Sequence, residues 1–167
     1  RNTINKNITS VKLQENKQFS KNKHKIESVI INNKKYIRAP ENAFKRWGKN
    51  NKEKLEYGEE SKLNGTRHPD DCLIDEINKR INWLEAKNQE KKGSKCEVLQ
   101  TARNKIENLS ERFYGWTINY IYILDSNFKN KLKCKQEIRD LDKHGIPYIF
   151  DDDINFESKI LEMLVVN

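Results

Sequence analysis

Apolar positions are sparse before residue 72 and dense after it, and their spacing changes from segment to segment. Val98, Leu99, Ala102, Ile106, Leu109 and Phe113 recur every three or four positions, which predicts an amphipathic helix from Lys95 to about Phe113. Thr117 to Leu124 is rich in β-branched and aromatic residues and predicts a strand placed centrally in a sheet. Leu132, Ile138 and Leu141 mark a further helix, with Gly145 as a left-handed cap and Pro147 just beyond. Tyr148 to Phe150 predict a short strand, and residues 156–165 a closing helix.

The first half is more polar. Ser28 to Ile31, the Asn32-Asn33 turn and Lys34 to Ile37 predict a hairpin with a basic tip. Pro40 is expected to start a helix, with Glu41 in its first turn beside the positive end of the dipole, and Ala43, Phe44, Trp47 and Leu55 on its apolar side. Residues 56–68 read as a polar connection, with a short strand near Tyr57 considered. Residues 1–27 carry no sustained period and are expected to form a weakly structured extension, leaving 28–167 as a single domain. The element order predicts an α/β (α+β) fold: a mixed central β-sheet flanked by helices.

Leu73 to Ile77 and Ile81 to Lys87 predict a second hairpin, closed near Asn78-Lys79. With those two residues as the loop, Asp70 lies opposite Lys87 and Cys72 opposite Glu85. Side chains alternate across a strand, so Asp70, Glu85 and Lys87 share a face. A one-residue change in the loop would bring Asp71 there instead. Asp75 is a third acidic candidate, nearer the turn.

Composition changes this picture in three ways. The net charge of +8 favours a polyanionic partner, yet Lys far outnumbers Arg and Asn is abundant, a bias that AT-rich coding produces without selection. Cys72, Cys96 and Cys134 have no zinc-ligand spacing, and their odd number argues against a closed disulfide set, so three reduced thiols are expected. No apolar run approaches the ~20 residues of a membrane span, and the expectation is a soluble cytoplasmic protein. The chain begins with Arg1 rather than Met, as a fragment or a processed start would.

Asp70 and Glu85 on one face supply two hard carboxylates, and Ala86 between Glu85 and Lys87 supplies a backbone carbonyl. Mg²⁺ takes a few such oxygens plus waters. Phosphodiester hydrolysis needs neutralised charge and an activated water, and a divalent metal serves both. Lys87 would orient or deprotonate the attacking water and steady charge developing on the phosphate. His24, His68 and His144 lack neighbours at ligand spacing. Asp151-Asp152-Asp153 lacks the glycine and distal glutamate of a calcium loop and reads as a solvated acidic turn. Trp47, Trp83 and Trp116 fall in apolar patterns and are assigned to the core.

The span His68-Pro69-Asp70-Asp71 followed by Glu85-Ala86-Lys87 resembles the PD-(D/E)xK nuclease superfamily. Gly93-Ser94 through Glu97, Leu99, Gln100 and Thr101 is similar to the helix that follows the Glu-x-Lys strand in its small type II restriction endonucleases. The resemblance covers residues 39–150. It implies a restriction-endonuclease-like core with the site at one edge, Mg²⁺-dependent cleavage of double-stranded DNA with Mn²⁺ as a substitute metal, and a homodimer. It also implies that Asp70 and Glu85 bind metal, with Lys87 the catalytic lysine. Glu41 matches an auxiliary acidic residue, and Gln100 a glutamine facing the site. Asp71 leaves open which aspartate fills the first position. Lys34, Lys35, Arg38, Arg67 and the Lys91-Lys92-Lys95 loop would supply phosphate contacts. Two alternatives are a repair or recombination nuclease of the same fold and a catalytically silent DNA-binding module.

Overall fold

The computed structural model describes residues 25–51, 68–88, 96–130 and 132–165. The extension before residue 25, the connection around Tyr57, Leu55, Arg67 and the Lys91-Lys92-Lys95 loop lie outside the described residues.

Strands β1 (Glu27–Ile31) and β2 (Lys34–Arg38) form the first hairpin. Asn32 and Asn33 both adopt positive φ (48° and 61°), the geometry that suits a two-residue hairpin turn and that Asn tolerates. Helix α1 (Asn42–Asn50) follows, then the hairpin of β3 (Asp71–Asp75) and β4 (Arg80–Lys87). Helices α2 (Glu97–Gln100) and α3 (Ala102–Arg112) lead to β5 (Thr117–Leu124). Helix α4 (Asn127–Asn130), a 3₁₀ turn at Leu132–Cys134 and helix α5 (Lys135–Lys143) lead to β6 (Tyr148–Phe150), and α6 (Phe156–Val165) closes the chain.

The six strands lie in one sheet in sequence order, from β1 to β6. The first four pair antiparallel, and β4, β5 and β6 run parallel. Each parallel step requires a crossover, and helices α2–α3 and α4–α5 provide the two. One sheet face packs Cys72, Ile74, Ile81, Trp83, Tyr120, Tyr122 and Leu124 against α1, α2, α3 and α5. The other packs Leu73, Leu84, Ile121, Ile123 and Ile149 against Phe156, Ile160 and Leu164 of α6. The chain is a mixed α/β fold with a central mixed sheet flanked by helices. Trp47, Trp83 and Trp116 are all buried in the first core. No helix among the described residues is long and apolar enough to cross a membrane.

Four local expectations are corrected. Pro40 does not open α1: the helix begins at Asn42, and Glu41 precedes it at φ 45°, ψ −120°, with no acidic residue in the first turn. Its backbone is committed elsewhere, since the Glu41 amide donates to the Pro69 carbonyl at 3.1 Å. The long helix after Lys95 is two helices, broken at Thr101 (φ −86°, ψ 2°), whose hydroxyl donates to the Val98 carbonyl at 3.0 Å. A side chain that bonds the preceding turn competes with helix continuation.

The loop of the second hairpin is four residues, Glu76 to Lys79, because β3 and β4 pair Asp75 with Arg80. Asp75 accepts both the Asn78 amide (3.1 Å) and the Asn78 side-chain amide (2.7 Å), a local turn the alternation pattern could not register. The cysteines are not all reduced: Cys96 and Cys134 are disulfide-bonded, with Cα atoms 5.2 Å apart, and tie the start of α2 to the start of α5. Only Cys72 is free, buried with its thiol donating to the Ala39 carbonyl at 3.3 Å, and burial holds that thiol well above its usual pKa.

Candidate active site

The four-residue loop changes the register by two positions, an even number, so the faces keep their membership. Asp71 pairs with Leu84, and one residue further along Asp70 comes level with Glu85 rather than Lys87. Asp70, Glu85 and Lys87 therefore lie toward the α1–α3 side, at the strand ends in the middle of the sheet rather than on a lateral edge strand. The Asp70 carboxylate accepts the Ala86 amide hydrogen at 2.9 Å. A strand residue sends its N–H and C=O to the same edge. The Ala86 carbonyl is thereby also directed toward the Asp70 side.

Glu85 is part-buried and flanked by two donors. The Lys87 ammonium pairs with its Oε1, and the Trp83 indole N–H donates to Oε2 at 3.4 Å. Two carboxylates and one lysine thus share this face. Glu41 reaches the site through its backbone. The Ala39 amide donates to Cys72 O at 3.1 Å and the Glu41 amide to Pro69 O, so residues 39–41 run beside the chain entering β3. Positive φ on a non-glycine residue is strained, and neighbouring structure must hold it. Here the Pro69 bond does so.

Asp71 does not join this group. It faces the opposite side of the sheet, 1% exposed, where Arg38 donates to its Oδ2 from Nε (2.8 Å) and Nη2 (2.6 Å) and the Cys72 amide donates to Oδ1 (2.8 Å). Burial pushes the Asp71 carboxyl upward against the pull of Arg38. Asp75 shares that face and pairs with Lys34 at 2.6 Å. Gln100, on α2, donates its amide to Glu137 of α5 at 3.2 Å.

Strand β5 adds residues that the sequence reading did not single out. Parallel pairing sets Tyr120 beside Trp83 and Tyr122 beside Glu85. The Tyr120 ring stacks on Trp83 (centroids 6.0 Å, interplanar 13°) and contacts Tyr122 at 5.1 Å. Tyr120 is 3% exposed, and burial, then the charge of Glu85, then Tyr122 and Asp70 hold its phenol far above its usual pKa. It is a neutral hydroxyl in the field of both carboxylates. Lys105 of α3 places its ammonium 3.5 Å from the Tyr122 hydroxyl. The signal for these tyrosines was the alternation within Thr117 to Leu124, interpretable only once β5 is known to run parallel to β4.

Among the described residues, no group of three or more His, Cys, Asp or Glu is arranged to hold a metal ion. Asp70, Glu85 and the Ala86 carbonyl are a smaller set, all hard oxygens, and fit a hard cation that retains several waters. They do not fit a closed, fully protein-ligated site. Compared with protein-family models, with curated proteins and with solved structures, the chain matches none.

Proposed function

We propose that the chain is a Mg²⁺-dependent endodeoxyribonuclease of restriction-endonuclease-like fold and type II character. The supporting observation is the common face of Asp70, Glu85 and Lys87, with the Asp70 carboxylate bonded to the amide between the other two. The Glu-x-Lys strand is followed by a helical crossover to a parallel strand, which agrees with a core of that kind.

In this reading Asp70 and Glu85 hold the cation, with the Ala86 carbonyl as a third oxygen and Mn²⁺ able to substitute. When bound, Mg²⁺ supplies charge neutralisation and a more acidic water. Lys87, held as an ammonium by its ion pair with Glu85, would orient the attacking water and stabilise the charge that grows on the phosphate. Tyr120 and Trp83 exclude bulk water beneath the carboxylates, which strengthens each charge interaction there. Glu41 serves as an auxiliary acidic group and Gln100 as a polar group on the following helix. Double-stranded DNA is the substrate, and a homodimer would present one site to each strand.

Incubation of plasmid DNA with the chain and Mg²⁺ tests the reading. Discrete fragments are expected, lost in Lys87→Ala and Glu85→Ala while both variants keep the wild-type circular dichroism. A smear or structure-dependent nicks would indicate a repair or recombination nuclease. Salt-sensitive binding with no cleavage would indicate a silent DNA-binding module.

A further inference from the structure

We infer that the outward face of α1 is a track for the phosphate backbone of duplex DNA, ending beside Asp70; what lies at its end rests on the nuclease reading. Asn42, Lys45, Arg46 and Lys49 line a shallow pocket of about 370 Å³. Their spacing of three, one and three residues places them on one side of the helix. The other side, with Ala43, Phe44, Trp47 and Gly48, is buried in the core.

Helix electrostatics accounts for Lys49, in the last turn, but not for Lys45 and Arg46. The positive end of the helix dipole favours acidic residues, yet α1 has none in its first turn and carries Lys45 and Arg46 in its first half. Lys45 and Lys49 are four residues apart, a spacing at which like charges repel. No carboxylate pairs with Lys45, Arg46 or Lys49 among the described residues. Four basic residues elsewhere are engaged, Lys34 with Asp75, Arg38 with Asp71, Lys129 with Asp152 and Lys159 with Asp153, whereas Lys45, Arg46 and Lys49 stand together on one helix face. Two of the phosphate contacts expected from sequence, Lys34 and Arg38, are thus committed to carboxylates.

A row of cations that repel one another is complementary to a row of anions. The cations from Lys45 to Lys49 span roughly 6 Å of helix rise, close to two phosphates of one DNA strand at about 3.4 Å of duplex axis each. The track also points at the site, because Glu41, the residue before α1, bonds through its backbone to Pro69, the residue before Asp70. A strand lying along α1 would run directly to the carboxylates.

The test is equilibrium binding of the full chain to a short DNA duplex in EDTA, where cleavage is absent, between about 50 and 200 mM salt. Each phosphate contact contributes about 0.9 to the slope of log affinity against log salt. The triple variant Lys45→Gln, Arg46→Gln, Lys49→Gln should lower the slope by about 2 to 3, and single variants by about 0.9 each. The charge-conserving set Lys45→Arg, Arg46→Lys, Lys49→Arg should keep the wild-type slope, as should Lys129→Gln. An unchanged slope in the triple variant overturns the inference, and so does a wild-type chain that does not bind duplex at the lowest salt. Stripe-dependent binding without Mg²⁺-dependent cleavage would remove the nuclease reading and leave the track in place.

Discussion

The Asp70 carboxylate lies 2.9 Å from the Ala86 amide nitrogen, so one of two adjacent aspartates is bonded to the middle of the Glu-x-Lys sequence. The other, Asp71, points to the opposite face and bonds Arg38 of the neighbouring strand. The two should respond oppositely to substitution. Asp70→Asn keeps an oxygen that can accept the Ala86 amide, so stability should change by less than about 1 kcal/mol, while the proposed cleavage should fall about a hundredfold through loss of the charge proposed to hold the metal. Asp71→Ala leaves Arg38 buried without its carboxylate, which should destabilise the fold by about 3 to 5 kcal/mol. Paired urea titrations and cleavage rates check both. A stable, inactive Asp71→Ala would reverse the assignment.

Tyr120 offers a finer test. Its neutral hydroxyl is buried in the field of both carboxylates and hydrogen-bonded to Tyr122, and a neutral hydrogen bond is worth roughly 0.5 to 1.5 kcal/mol. Tyr120→Phe should lower cleavage by about two- to tenfold, with only a small fall in melting temperature because the ring remains stacked on Trp83. Metal affinity measured by Mn²⁺ titration should weaken in parallel. Wild-type rates and affinity together would show that the hydroxyl takes no part.

The Cys96–Cys134 bridge closes a loop of 38 residues between α2 and α5. Constraint of the unfolded chain by a loop of that length contributes about 4 kcal/mol. Reduction, or Cys96→Ser with Cys134→Ser, should therefore lower the denaturation midpoint markedly. Urea unfolding with and without dithiothreitol measures it, and coincident curves would argue against the bond.

Asp75 should leave a signature in acid. Burial opposes its charge, but bonds from Asn78 and Lys34 outweigh it and hold the carboxyl below its usual pKa. A lowered folded pKa means the stabilisation is complete above the unfolded value of about 3.9 and is lost as pH falls through the lower folded value. Asp75→Asn should flatten the dependence of stability on pH in that window. Urea midpoints from neutral pH down to strongly acidic buffer decide it. An unaltered slope would place the acid sensitivity elsewhere.

Much of the fold was legible along the chain because it depends on local periodicity. The Asn32-Asn33 turn, the strand at Thr117–Leu124, the cap at Gly145 and the closing helix all follow from patterns a few residues long. The common face of Asp70, Glu85 and Lys87 was legible too, since it needs only the parity of the hairpin loop. The loop length itself was not, because it is set by Asp75 binding back to Asn78 and outward to Lys34 on another strand.

By itself the sequence determined the mixed sheet with its helices and the one face on which two carboxylates and a lysine meet, because alternation and helical period are properties of neighbouring residues. Tertiary structure alone decided the rest. It turned Asp71 toward Arg38, brought Tyr120 and Tyr122 of β5 beside Trp83 and Glu85, joined Cys96 to Cys134, and left Lys45, Arg46 and Lys49 of α1 without a carboxylate partner among the described residues. Each of these depends on which segments, tens of residues apart, come to lie side by side, and no short-range pattern records that.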